Sequence, residues 1–299
     1  MDGILNIYKE KGFTSHDVVA KLRGILRQRK IGHTGTLDPD AEGVLPVCLG
    51  NATKVCDMLM DTSKTYRTTM LLGTVTDTQD ISGNVQSRTE AAVTEDEVRE
   101  AIGHFLGGYD QIPPMYSAKK INGKKLYELA REGKELERPA CHVEIYEITV
   151  EELCLPYVTM TVSCSKGTYI RTLCHDIGAR LGCGGCMTKL LRTRVSLFSL
   201  EQARKLSEIE KLRDEGNLER ILFPLEAVFR DLPSITVSKE GERFLYNGNP
   251  LIPSNLSEEN GNRDGSMVRV YDAEGQFCAV YGFDLQRGQY RPQKMFLPR

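Results

Sequence analysis

Residues 32–39, Gly-His-Thr-Gly-Thr-Leu-Asp-Pro, bring an imidazole, a carboxylate and two glycines into one short run. Glycine lets a backbone approach a ligand closely or take a positive φ. The residue before a proline is held extended or in a turn. Asp38 is therefore expected on a stiff turn, with residues 40–50 behind it reading as a strand that enters the core. A carboxylate held this way suits nucleophilic or base chemistry. The rest of the reactive inventory is His33, Tyr66, Asp80, Tyr169 and Arg171. An arginine beside Asp38 is expected to depress its pKa and keep it ionised at neutral pH. Tyr66 combines a flat apolar ring with a hydroxyl that can hold or move a proton. Taken singly, each residue has an ordinary structural account. Asp-Pro starts many turns, His33 suits a loop, and Asp80 can cap the turn before Ser82-Gly83. Tyr66, Tyr169 and Leu190 can each be packing residues.

The elements around these residues follow from their periodicity. Gly3 to Tyr8 reads as a strand. Thr14 or Ser15 caps a helix with Asp17 in its first turn, and Val18, Val19, Leu22, Ile25 and Leu26 form its apolar face. Residues 65–73 alternate as a strand, which carries Tyr66. Thr94-x-x-Glu97 is a capping-box pattern ahead of an amphipathic helix. Pro113-Pro114 breaks the chain before a polar, basic excursion over 114–141. Residues 158–164 alternate as a strand, and 166–171 lead into a helix that is expected to stop at Gly182. Beyond a boundary near Pro224 to Pro233, Ile235–Val237, Val268–Tyr271 and Phe277–Phe283 read as strands, with 272–275 as a turn and 254–266 as a polar loop.

Length and composition bound what these elements can build. A chain of 299 residues suits a large domain plus a small one. Its 40% hydrophobic and 27% charged content is that of a globular protein. No run of about 18 apolar residues argues for a membrane span, and the N-terminus has no signal-peptide pattern, so a cytoplasmic location is expected. Net charge is −2, yet 21–30 carries five basic residues and no acid, and 119–138 is also locally basic. Local rather than global charge governs contact with polyanions. Nine cysteines fit reduced thiols in such a chain. Cys183-x-x-Cys186 has no second pair at metal spacing, so no metal is expected.

Several strings together resemble the TruB family of tRNA pseudouridine synthases. They are the run ending in Asp38-Pro39, Lys9-x-x-Gly12-x-Thr14-Ser15, Lys64-Thr65-Tyr66-Arg67, and Leu72-Gly73-x-x-Thr76-Asp77-Thr78-x-Asp80. They continue with Pro113-Pro114-x-Tyr116-Ser117-Ala118, the segment Ser165 to Arg171, and Leu190-Leu191-Arg192-Thr193. The resemblance implies an α+β pseudouridine synthase domain over 1–230, with a central mixed or antiparallel sheet and an RNA-gripping thumb near 114–141. A small β-rich module over 231–299 loosely resembles the PUA-like RNA-binding module. It implies isomerisation of uridine 55 in the T loop of tRNA, after the base is flipped from its stack, with no cofactor or metal. Asp38 would be catalytic. His33 would brace the space around the flipped base, Tyr66 and Tyr169 would pack it, Leu190 would close the apolar side, and Arg171 would partner Asp38, with Asp80 in the same pocket.

The partner expected is the T arm of tRNA, with no membrane, no obligate protein partner and a monomeric chain. A guide-RNA-dependent relative is the alternative within the fold, although the extended basic tails of such proteins are missing here. A non-catalytic RNA-binding or RNA-folding protein is the alternative from another class, and a secondary role in tRNA folding is compatible with the enzyme.

Overall fold

The computed structural model describes all residues except 118, 122, 135, 261–262 and 298–299, and only the main chain at 120 and 125. Ala118 of the Pro113 string and Glu135 of the basic segment lie outside the described residues.

The fold is α+β, built on a ten-stranded mixed sheet. Its path runs Leu222–Phe223, Gly3–Lys9, Glu42–Leu49, Gly185–Val195, Lys64–Leu72, Tyr157–Cys164, Cys141–Cys154, Gly107–Gln111. Ile31–His33 adds to Glu42–Leu49, and Phe198–Ser199 to Gly185–Val195. Every pairing is antiparallel except one. Glu42–Leu49 and Gly185–Val195 run parallel over a short seam, with Leu191 opposite Glu42 and Arg192 opposite Gly43. Gly43 is required there: its φ is +106°, and a Cβ would sit 2.2 Å from the Arg192 carbonyl oxygen.

Sequence signals explain the helices. Thr14 caps Ser15–Leu26 in a capping box with Asp17, and Thr94 caps Glu95–Gly103 in a box with Glu97. Ser15–Leu26 buries Val18, Val19 and Leu22 against Leu5, Ile7, Leu45 and Val47. Ile170–Arg180 buries Leu173, Cys174 and Ile177 against Met70, Val158 and Met160. The apolar faces therefore pack on the sheet that carries Tyr66. The excursion after Pro114 contains the paired strands Lys120–Ile121 and Lys124–Lys125 and a helix, Leu126–Arg131.

A second, five-stranded sheet follows, in the order Leu256–Glu259, Ser234–Val237, Met267–Tyr271, Phe277–Asp284, Gln289–Met295. It has its own core around Ile235, Leu245, Val270 and Tyr281. Phe277 and Phe296 stack with ring centroids 5.4 Å apart and meet Phe229 of the first unit. Lys54 donates to the Met295 carbonyl at 2.7 Å, and Lys294 donates to the Lys54 carbonyl at 2.8 Å.

One expectation is corrected here, and one strand is added to those the sequence marks. The polar loop read over 254–266 contains the strand Leu256–Glu259, an edge strand with one apolar side chain and so little alternation to detect. Gln289–Met295 is also an edge strand, and edge position is what tolerates Pro292. Among the described residues, no helix is long and apolar enough to cross a membrane.

Candidate active site

Asp38 lies on the turn between two strands, and both flanks of that turn are tied down. The Ala41 amide donates to the Asp38 carbonyl at 3.1 Å, which closes it. From the N-terminal side, the fully buried Lys9 donates to the carbonyls of Pro39 at 3.1 Å and Ala41 at 2.6 Å. The Gly12 amide reaches the same Pro39 oxygen at 2.9 Å, and the Leu37 amide donates to Ser15 Oγ at 2.9 Å. From the sheet side, Arg192 donates through Nε to the Val44 carbonyl at 2.7 Å and through its two Nη atoms to Thr36 and Gly35 at 3.4 and 3.5 Å. Burial lowers the Lys9 ammonium to about 8.

Arg171 brings the carboxylates together. It sits in the first turn of Ile170–Arg180, where the helix dipole opposes a cation. Acceptors on four sides offset that cost. Nε lies 3.0 Å from Asp38 Oδ2 and Nη2 lies 3.4 Å from Oδ1, a forked pair. Nη1 lies 3.5 Å from Asp80 Oδ2 and donates to the Thr78 carbonyl at 3.2 Å. Nη2 also donates to the Tyr116 carbonyl at 2.8 Å. Asp80 is itself fixed by Thr78 Oγ1 at 2.8 Å and the Ser82 amide at 3.0 Å.

The depressed pKa expected for Asp38 is not found. Burial in the cleft raises its carboxyl above the ordinary 3.8, against the downward pull of Arg171, and Asp80 adds to the rise. The cleft walls and a second nearby carboxylate outweigh one forked arginine, while the Asp38 side chain still opens to the cavity and is 41% exposed.

A cavity of about 320 Å³ opens above this pair, a size suited to one small ligand. Asp38, Tyr66, Tyr169, Arg171 and Leu190 all line it, from four segments distant in sequence. Tyr66 is buried, and burial raises its phenol above the ordinary value. Tyr169 precedes Ile170–Arg180 and is gripped at both backbone groups by Gln111: its amide donates to Oε1 at 2.7 Å, and its carbonyl accepts from Nε2 at 3.0 Å. Leu190 is half-buried on the cavity wall.

Two expected site residues stand off this wall. Asp80 does not line the cavity and meets Arg171 Nη1 at 3.5 Å from its far side. His33 lies on Ile31–His33, where Nδ1 accepts from the Gly35 amide at 3.3 Å and the ring meets His16 edge-on at 5.8 Å. Burial, then His16 and Arg192, lower its pKa, which favours neutral imidazole.

Three further cations surround the site, and the sequence alone does not mark their roles: Lys9, Lys64 and Arg192. Lys64 and Arg192 line the cavity and are nearly inaccessible to solvent. Lys64 bonds to the Met60 and Thr62 carbonyls, and burial lowers it to about 8. The available signal was a basic residue at an inward position of an alternating strand. Gln111 carried no such signal.

A larger hollow of about 520 Å³ is lined by Thr69, Leu71, Ile81, Tyr157 and Lys189. Thr69 and Leu71 alternate with Tyr66 and Met70, so this hollow lies on the opposite face of the sheet, away from Asp38. Among the described residues, no group of three or more His, Cys, Asp or Glu side chains is arranged to hold a metal ion.

Comparison with known proteins places this geometry in context. Residues 23–170 match the model of the TruB family pseudouridylate synthase N-terminal domain, and residues 171–230 match the tRNA pseudouridylate synthase B C-terminal domain. The chain is 52% identical to a tRNA pseudouridine synthase B of Lachnoclostridium phytofermentans, covering 99% of this chain and 100% of that one. It is 47% identical to that of Alkaliphilus oremlandii, covering 98% and 96%. Among solved structures, a Cbf5-Nop10-Gar1 complex aligns with a TM-score of 0.76 at 28% identity, covering 99% of this chain and 85% of that one. An H/ACA RNP bound to a substrate RNA containing 2'-deoxyuridine aligns with a TM-score of 0.75 at 26% identity, covering 99% and 86%.

Proposed function

The chain belongs to the TruB family of pseudouridylate synthases, and from that premise we propose that it isomerises uridine 55 in the T loop of tRNA to pseudouridine, with Asp38 as the catalytic group. The observation that carries the reading is the convergence of Asp38, Arg171, Tyr66, Tyr169 and Leu190 on one small cavity. The names of the relatives support tRNA as the substrate.

The chemistry asks for what this cavity offers. The base leaves C1′ through N1 and returns through C5, so C5 loses a proton and N1 gains one. The net composition is unchanged, and no redox partner is called for. Asp38 promotes cleavage at the sugar, and Arg171 holds its carboxylate by the forked contact. Tyr66 and Tyr169 offer aromatic surface to the flipped base, and Leu190 offers apolar contact. Asp80 fixes the far side of Arg171. His33, beside the turn, braces the space vacated in the RNA. Unstacking a loop uridine costs about a few kcal/mol. Phosphate contacts from the basic excursion over 114–141 and from the C-terminal sheet, which we read as an RNA-binding module over 231–299, supply the offset.

The likeness to an H/ACA RNP bound to a substrate RNA keeps the guide-RNA-dependent alternative of the sequence reading as the second reading. Incubation of the purified chain with an unmodified tRNA transcript, followed by pseudouridine mapping, separates the two. Conversion at uridine 55 without added RNA or protein supports the proposal, and conversion only with a guide RNA supports the second reading. Refolding of misfolded tRNA by an Asp38→Asn chain would reveal an additional folding role.

A further inference from the structure

Two buried lysines flank the site, and their hydrogen bonding differs. An ammonium has three N–H donors and no acceptor. Lys9 places all three on carbonyls, those of Glu10, Pro39 and Ala41, and it does not line the cavity. Lys64 places two, on the Met60 carbonyl at 2.6 Å and on the Thr62 carbonyl, and it does line the cavity. Its third N–H has no acceptor among the described residues. No carboxylate among them touches it either: Asp61, in the same loop, pairs with Lys166. The whole lining has the same bias. It carries Lys64, Lys119, Arg171 and Arg192 against Asp38 alone, and Asp38 is already held by Arg171. Ser117 lines it as well, and its buried Oγ has no hydrogen-bond partner among the described residues. A uracil ring is neutral and leaves this excess of donors and positive charge unmatched. Buried charges are ordinarily paired, so the partner that Lys64 lacks is an anion.

We propose that Lys64 binds a phosphate flanking the flipped nucleotide, through the third N–H of its ammonium. Strand geometry places it for this. Lys64 and Tyr66 are two residues apart on Lys64–Leu72, both on its buried face and both in the cavity lining. That spacing sets them roughly 6–7 Å apart along the strand. Tyr66 offers aromatic surface to the base, and one strand repeat away Lys64 meets the sugar–phosphate end of the same nucleotide. A phosphate oxygen accepts without donating, and its charge strengthens the bond. Burial lowers the Lys64 ammonium to about 8. An anion in contact with it favours the charged form again.

This inference rests on the cavity being a uridine site. The test is an affinity cycle between chain and RNA. The chain is changed by Lys64→Gln, which keeps N–H donors for the two carbonyls and removes the charge. The RNA is a T-arm stem-loop with a neutral methylphosphonate linkage 5′ to uridine 55 or, in a second RNA, 3′ to it. The ribose before that linkage is 2′-O-methylated in these RNAs and in their ordinary counterparts. Lys64→Gln is expected to weaken binding of the ordinary RNA by about 10-fold or more and to lower its salt slope by about 1. With one of the two neutral linkages in place, it is expected to cost no more than about 2-fold further. Losses that multiply at both linkages would mean that Lys64 only holds the loop from Met60 to Thr62, and would overturn the proposal; so would an unchanged affinity. If Lys64→Gln does not fold, the unaltered chain gives a second readout. Its affinity for the ordinary RNA should fall as pH rises from ~7 to ~9, because the free ammonium loses its proton near 8. One of the neutral RNAs should lack that fall. The charged and titratable groups facing Lys64 are Arg192, Cys164, Asp61 and Lys166, and burial pushes Cys164 up to about 11, outside this window. Parallel pH profiles for ordinary and both neutral RNAs overturn the proposal. An unaltered chain that leaves tRNA uridine unconverted defeats the uridine reading, whereas an active chain with multiplied losses defeats only the role of Lys64.

Discussion

Lys9 Nζ lies 2.6 Å from the carbonyl oxygen of Ala41, thirty-two residues downstream, and spans the turn that presents Asp38. A buried ammonium thus takes the place of backbone pairing that this turn cannot make for itself. Lys9→Met should strip the ammonium donor from the Ala41 oxygen, while Pro39 keeps the Gly12 amide, at a cost of about 1–3 kcal/mol in unfolding stability. The folded-state value of Lys9 is about 8, against 10.5 ordinarily. Between those values the unfolded chain binds more protons, so the contribution of Lys9 to stability rises with pH across that window. Urea midpoints measured from pH ~8 to ~10 should climb less steeply in Lys9→Met than in the unaltered chain. Parallel slopes would show that Lys9 does not titrate there.

Arg171 should tolerate replacement poorly. Arg171→Ala strips a buried contact from Asp38 and Asp80 together. Turnover is expected to fall by about 10²-fold or more. Stability should drop by less than the ~3–5 kcal/mol of a fully buried pair, because Asp38 is partly exposed. Arg171→Lys keeps the charge and loses the fork, so it should recover stability better than rate. Full activity of either variant would show that Arg171 does not hold Asp38.

The pH dependence follows from the direction of the Asp38 shift. The reaction uses the carboxylate, and burial raises its pKa above 3.8. Single-turnover rate should therefore decline as pH falls through that raised value, with an acid limb above the ordinary carboxylate range. A rate that stays flat down to pH ~4 while the chain remains folded would contradict the shift.

Much of the site was legible in the sequence because it lies on short turns and caps. Asp38 before a proline, Thr14 with Asp17 and Thr94 with Glu97 are local devices, and local chemistry decides them. What escaped depends on partners far along the chain. Lys9 is buried because carbonyls thirty residues away receive it, and Gln111 matters because it clamps the backbone of Tyr169. The sign of the Asp38 shift is not legible in the sequence for the same reason. The Arg171 partner was visible as a string, but the depth of the cleft and the approach of Asp80 were not. The fourteen-residue strand Cys141–Cys154 went unmarked because bulges near 145–147 and 150–152 break its alternation.

The excursion after Pro114 is expected to act on affinity. Changing Lys119, Lys120, Lys124 and Lys125 together to Ala should weaken tRNA binding and flatten the slope of log K against log salt by up to about 3. The rate at saturating tRNA should fall far less than in Asp38→Asn. An unchanged salt slope would mean that these lysines serve only solvation.

The central claim is that the Asp38 carboxylate performs the isomerisation. Asp38→Asn keeps the shape of the side chain and removes its charge. Pseudouridine formed in a tRNA transcript, measured alongside tRNA affinity, tests the claim most directly. The account predicts conversion at uridine 55 by the unaltered chain and none by Asp38→Asn, with affinity within a few-fold, because phosphate contacts supply most of the binding. Near-normal conversion by Asp38→Asn would contradict it.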